Sequence, residues 1–320
     1  MSSACSWVVA WALMASGQPT VSAQLAEGVV SFKLGNQVVT RYHAHADVAK
    51  PYFWPVITPA GVAVTRDWPM VADAKEAKDH KHQKSAWFCH GDIMLDGHTP
   101  TKRKGIEGTD FWSEESGHGK IVCTDLNLIS TRNAVMVSTS NLWKDSAGKA
   151  ILSETRLLTF KPRDANSWIM EVTSIMTASQ GAITFEDTKE GSFGVRVRDD
   201  LTEKPGTGIL TNAEGLKGEK NLWGKKSAWC DYSGTTGAKT VGVAIVAHPE
   251  NPYPTCWHSR GYGLMAANPF GRGKSGFPDM KGRTDLVKVN KGESIKLTYA
   301  MVVHDGDATS AKLSERVFGK

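Results

Sequence analysis

Gly28-Val29-Val30-Ser31-Phe32-Lys33-Leu34-Gly35-Asn36-Gln37-Val38-Val39-Thr40-Arg41-Tyr42 is the stretch that decides the fold. Its two flanks carry apolar residues in the alternation that side chains of a pleated strand demand. Gly35-Asn36 between them is the chemistry of a two-residue hairpin turn. Strand-like runs of the same kind recur at 86–90, 119–125, 134–143, 152–160, 168–177, 182–187, 193–197, 227–232, 239–247, 256–259, 264–268 and 294–303. Gly, Asn, Asp or Pro separates them, which predicts many antiparallel strands and not strand–helix–strand units. Only 72–81 and 309–318 have the pattern of short helices. No repeat or long linker interrupts the chain, so residues 24–320 are expected to form one all-β domain, a large antiparallel β-sandwich with few short helices.

The 320 residues carry a formal charge of +5, spread along the chain. The densest basic run, Lys102-Arg103-Lys104, falls in a loop rich in Gly, Pro and Thr, and reads as a solvated loop and not as a nucleic-acid patch. At the N-terminus, Trp7-Val8-Val9-Ala10-Trp11-Ala12-Leu13-Met14-Ala15 is apolar but too short to span a bilayer. Val21-Ser22-Ala23 follows as a small-x-small cleavage site, so 1–23 is expected to be a signal peptide and the protein to be secreted or periplasmic. No later segment is long and apolar enough for a membrane span. Cleavage would leave Cys89, Cys123, Cys230 and Cys256, an even number that permits disulfides, although no CxxC pair occurs and buried free thiols are common.

Four segments combine polar chemistry with aromatic and glycine residues. In Asp79-His80-Lys81-His82-Gln83, an extended backbone would turn His80 and His82 to one face, where two imidazoles can share a metal or flank a substrate; His90 follows shortly after. Asp110-Phe111-Trp112-Ser113-Glu114 sets carboxylates beside aromatic rings, which suits sugar recognition through Trp112 and Glu114. In Lys189-Glu190-Gly191-Ser192-Phe193-Gly194-Val195-Arg196, Glu190 at a strand start is placed for acid/base work if burial raises its pKa, or else it is the salt partner of Arg196. The densest segment runs from His248 through Trp257, His258 and Arg260 to Asn268. Its prolines 249, 252 and 254 stiffen the approach, and His258 and Arg260 share a face if 256–260 is a strand. Signatures of serine hydrolases, zinc proteases, P-loops and dinucleotide folds are missing.

These blocks resemble a bacterial family of secreted proteins labelled PmoA. The matching residues are Arg41-Tyr42 with Pro51-Tyr52-Phe53-Trp54-Pro55-Val56, Asp79-His80-x-His82, Trp87-Phe88-x-His90-Gly91-Asp92 and Asp110-Phe111-Trp112-Ser113-Glu114. Further on they are 189–196, 229–234 and Trp257-His258-x-Arg260-x-Tyr262-Gly263-Leu264 through Gly271. Where the family more usually has Asp-His-Pro-His-His-Arg, this chain has Lys81, Gln83 and Lys84, so a third imidazole would have to be His90. The resemblance implies a galactose-mutarotase-like supersandwich.

The expectation is therefore a secreted carbohydrate-active enzyme, of hydrolase, lyase or epimerase type, acting on a small saccharide in a concave cleft. His258 and Glu190 are the expected catalytic pair. Arg260, Arg196, His80, His82, His90, Glu114, Trp112, Trp257, His248 and Asn268 are the expected substrate-binding residues. The alternatives are a non-catalytic saccharide-binding protein and a histidine-metal oxidative enzyme using His80, His82 and His90. Cofactor, metal and oligomeric state are unknown from the sequence.

Overall fold

The computed structural model describes residues 19–131, 133–315 and 317–318. Most of the expected signal segment lies outside the described residues, and its expected cleavage point, Ala23, falls within the first strand. In chain order the strands are β1 (Val21–Ala26), β2 (Val29–Leu34), β3 (Gln37–His43), β4 (Tyr52–Val56), β5 (Ala86–His90) and β6 (Ile93–Leu95). Then come β7 (Lys120–Ser130), β8 (Val135–Lys144), β9 (Ala150–Asp164), β10 (Ser167–Thr177), β11 (Ile183–Phe185) and β12 (Gly191–Arg196). The last third adds β13 (Ile209–Asn212), β14 (Trp229–Thr236), β15 (Lys239–Ala247), β16 (Cys256–Arg260), β17 (Leu264–Asn268), β18 (Val287–Val289) and β19 (Ser294–Asp305).

Two eight-stranded antiparallel sheets carry the fold. One runs β1-β2-β3-β4-β5-β12-β17-β16, the other β13-β14-β15-β19-β10-β9-β8-β7, and a small third sheet runs β18-β11-β6. The hairpin of β2 and β3 closes Leu34 onto Gln37, with Gly35 at φ +60°, a conformation glycine adopts without strain. The expected large all-β sandwich is thus present. Among the described residues the helix content is one turn, α1 (Glu219–Leu222), and two 3₁₀ turns, Asp199–Leu201 and Pro278–Met280. Neither expected helix formed. In 72–81 the Glu76 carboxylate folds back onto the amides of Asp67 and Trp68 while Asp79 is drawn to Arg66. In 309–318 the backbone makes isolated turns, such as Lys312 N–H to the Thr309 carbonyl, and no continuous helix, while Ala311, Leu313 and Val317 cover an apolar patch of the second sheet.

Side-chain alternation sorts the faces. Along β8, Val135, Val137, Thr139, Asn141 and Trp143 are buried while the residues between them are more exposed, as period two requires. In the first sheet, Phe88, Phe193, Ala267 and Trp257 form one row across β5, β12, β17 and β16. That row faces the second sheet, where Phe193 meets Tyr299 of β19. The neighbouring row, Trp87, Gly194, Ala266 and His258, must face the opposite way. Gly194 is obligatory there, because a Cβ would lie 2.8 Å from the Trp87 ring and 3.2 Å from that of Trp112.

Between the sheets lies one polar network. The guanidinium of Arg156 binds both carboxylate oxygens of Glu154 (2.8 and 3.0 Å), Tyr42 Oη (3.3 Å) and the Phe88 carbonyl (3.2 Å). Ser174, Trp143 and Asn141 donate to the rest of the Glu154 carboxylate. All three guanidinium nitrogens and both Glu154 oxygens are matched, which makes the buried ion pair tolerable, while Asn141 Oδ1 has no partner. Cys89, Cys123, Cys230 and Cys256 are all free thiols. Among the described residues no helix is long and apolar enough to cross a membrane.

Candidate functional site

The outward-facing row of the first sheet ends in a cavity of about 410 Å³. Five chain segments line it: the turn before β5 with His80, His82 and Gln83; the loop after β6 with Asp110, Trp112 and Ser113; Lys189 and Glu190 entering β12; Glu219 of α1; and His258, Arg260 and Tyr262 from β16 and its turn. His258 and Arg260 share the cavity face because β16 is a strand and they are two residues apart.

The geometry at the centre is specific. Arg260 Nε donates to His258 Nε2 at 3.3 Å, so the imidazole proton sits on Nδ1, which lies 3.7 Å from Glu190 Oε2. His258 is almost wholly buried, and burial together with Arg260 and Lys189 pushes its pKa down to about 3. Glu190 moves the other way. Burial, with a further push from Asp110, raises its carboxyl to about 7, against the opposing pull of Lys189 and Arg260. Arg260 itself is held by Glu219 Oε1 at 3.0 Å and stacks over the Trp223 ring at 5.1 Å.

Behind His80 stands a layered support. Asp79 accepts from Arg66 (2.6 Å) and Arg196 (3.0 Å) and pairs with His80 Nδ1 at 2.9 Å. Burial alone would raise its pKa, but these partners lower it to about 2. The His80 ring lies flat on Tyr262 (5.2 Å, 8°), and Tyr262 in turn covers the Arg196 guanidinium at 4.6 Å. His82 stands edge-on to His80 at 5.7 Å, and burial, with Lys50 and His80 adding to it, pushes its pKa down to about 3.

Of the expected residues, His80, His82, Trp112, Glu190, His258 and Arg260 line the same cavity. His80 and His82 arrive there from a turn, with His80 at φ +36°, and not from the extended segment expected. The others are elsewhere. Arg196 lies beneath Tyr262, paired with Asp79 and Gln83 and not with Glu190. Trp257 points into the inter-sheet core, since its odd position on β16 takes the opposite face from His258. Trp112 is nearly fully buried, so it forms floor and no open stacking platform. Glu114 is held by Lys50 at 3.3 Å and Lys84 at 2.7 Å and stands outside the cavity lining. Asn268 closes a turn, accepting from the amides of Phe270 and Gly271. His248 packs on Phe318 by a different cavity. His90 is buried between Phe185 and Phe270 with Nε2 on the Glu186 carbonyl, so the expected three-histidine set does not assemble. Lys189, Glu219 and Tyr262 were not expected; Glu219 had no signal, because nothing in a four-residue helical turn marks it.

Fold and site together define a two-sheet antiparallel β-sandwich with a polar cleft on the outer face of one sheet. The chain belongs to a family of unknown function, DUF6807, which matches residues 29–317. That description names no activity and bears no oxygenase label. No curated protein matches the chain. Similar solved structures include the GalM/aldose epimerase homologue from C. elegans, 11% identical, covering 89% of this chain and 100% of that one at a TM-score of 0.37. Galactose 1-epimerase from Lactobacillus acidophilus is 8% identical, with coverages of 91% and 100% and a TM-score of 0.40. A heparan sulfate lyase HepC mutant from Pedobacter heparinus is 10% identical at a TM-score of 0.43, and the chain spans only 37% of its length. Likeness at these scores carries nothing about what this chain acts on.

Proposed function

We propose that the protein is a saccharide-active acid/base enzyme in which Glu190 transfers the proton. The observation that carries this is a carboxyl raised to about 7, set 3.7 Å from the Nδ1 of a neutral imidazole in a ligand-sized cavity. A carboxylic acid that holds its proton near neutrality can give it to a glycosidic or ring oxygen and take it back afterwards. The N–H of His258 faces the carboxylate that remains and stabilises it, and Arg260 keeps that tautomer in place by occupying Nε2. All twelve lining residues carry a polar side-chain atom, which suits a polyhydroxylated ligand better than an apolar one. The part-exposed His80 ring, backed by Tyr262, suits a sugar ring's C–H edge.

The test is incubation with a broad oligosaccharide panel, reading products by mass spectrometry and anomeric exchange by NMR. Product formation or exchange that Glu190→Gln abolishes supports the reading. Binding without either outcome assigns the protein to non-catalytic saccharide recognition, and no binding at all sinks both.

Export belongs to the same proposal and rests on the apolar run Trp7–Ala15 and the small-x-small site at Val21-Ser22-Ala23. N-terminal sequencing of protein recovered from a secreting bacterial host tests it. A start at Gln24 supports it, and retention of Met1 or Ser2 in the cytosolic fraction refutes it.

A further inference from the structure

Resting on that reading, we infer that the saccharide is anionic, carrying a carboxylate or a sulfate ester. Two clusters flank the segment 79–84, which brings His80, His82 and Gln83 to the cavity. Each shares one carboxylate between two cations. In the first, Asp79 serves Arg66 and Arg196, whose side chains are 0% and 1% exposed. In the second, Glu114 serves Lys50 and Lys84, at 1% and 19% exposure. Glu76, whose carboxylate accepts from the amides of Asp67 and Trp68, adds a second negative charge that offsets Arg66.

The first cluster is thus balanced, while the second leaves one positive charge uncompensated beneath the wall. Buried charge without a partner is costly, and a field of one sign in a low-dielectric cleft is focused towards its mouth. Within the cavity, the remaining charges cancel: Glu219 is paired with Arg260, and Asp110 with Arg103 at 3.0 Å, an arginine that also holds the exposed Glu115 at 2.9 Å. Lys189 stays 44% exposed, 3.9 Å from a Glu190 carboxyl that carries its proton near neutrality. Arg260 uses Nε on His258 and Nη1 on Glu219, so among the described residues Nη2 has no hydrogen-bond partner. Lys189 and Arg260 are the contacts an anionic substituent would make, and the Lys50–Lys84 cluster supplies the field behind them. A bound anion also favours the protonated form of Glu190, so charge recognition and proton donation reinforce each other.

The experiment measures binding by calorimetry, and turnover, on uronate-containing and sulfated oligosaccharides, each compared with its carboxyl-reduced or desulfated counterpart. The charged members are expected to bind at least roughly tenfold more tightly, with the gap narrowing as salt rises. Which counterpart loses affinity tells carboxylate from sulfate. Lys189→Met is expected to erase most of the preference. Lys84→Met, at a position 19% exposed, is expected to reduce it by roughly threefold through the field alone. Equal or better use of the neutral counterparts overturns the inference while leaving a saccharide enzyme standing. Failure of charged and neutral members alike overturns both.

Discussion

Arg260 and His258, two residues apart on β16, are joined by a hydrogen bond from the guanidinium Nε to the imidazole Nε2 at 3.3 Å. A cation that donates to an imidazole nitrogen can do so only while that nitrogen is unprotonated, so the arginine fixes both the charge and the tautomer of its neighbour. Replacing Arg260 by Met is therefore expected to raise the His258 pKa from about 3 towards its ordinary value. Titration of the ring signals by NMR reads this directly. An unchanged titration would show that burial alone holds the imidazole neutral.

Glu190→Gln keeps the shape of the carboxyl and removes its proton chemistry. Turnover is expected to fall by about 10²–10⁴-fold while binding is retained within a few-fold. Wild-type activity that depends on the protonated acid should be full below about pH 7 and decline as pH rises through it. A profile that climbs across that range would make Glu190 a base in its resting state.

Asp79 holds two guanidinium groups that have almost no contact with water. Asp79→Asn is expected to cost about 2–3 kcal/mol of stability, read by denaturant unfolding, because the cations lose their shared anion. Adding Arg196→Met should recover part of that loss. If the double variant is no more stable than Asp79→Asn, repulsion between the two arginines is not what the aspartate relieves.

Three buried histidines are held neutral: His82 and His258 with pKa values near 3, and His90 near 4. Burial is the leading cause in each case. An unfolded chain takes up these protons at about 6.5, so between there and the native values the unfolded state binds more protons. Stability should be complete above about pH 6.5 and fall as pH drops towards 4. Glu190 acts in the opposite sense over roughly pH 4.5–7, since its native form keeps a proton that the unfolded chain releases. Thermal unfolding followed across pH 4–8 should show the histidine term dominating, and His82→Gln should flatten the acid limb.

Strands were the most legible part of the chain because period-two patterning and turn residues are local. The runs at 86–90, 239–247 and 264–268 coincide with β5, β15 and β17 to the residue. Short strands were not legible: β6, β13 and β18 owe their existence to partners and not to their own pattern. In the site, His258 and Arg260 were readable because alternation on a strand is a rule. Trp257 was misplaced by ignoring that same rule one residue away. Arg196 and Glu114 looked functional from their chemistry, yet their partners lie 117 and 30 positions distant in the chain, which no local pattern records, whereas Asn268 closes a turn on Phe270 and Gly271 that is local. Glu219 is invisible for the converse reason, since only the arrival of Arg260 gives it a role.

The Glu154–Arg156 network has a mechanical consequence for the cleft. Sheets stacked only by apolar side chains can shear past one another at small cost, because one methyl contact replaces another. Here the guanidinium reaches across from β9 to Tyr42 on β3 and the Phe88 carbonyl on β5. Sliding by a single residue would strip those acceptors from a cation with no water to replace them. The network therefore works as a locating pin between the two sheets, and β5, the strand it engages, is the one whose opposite face carries Trp87 under the cavity floor.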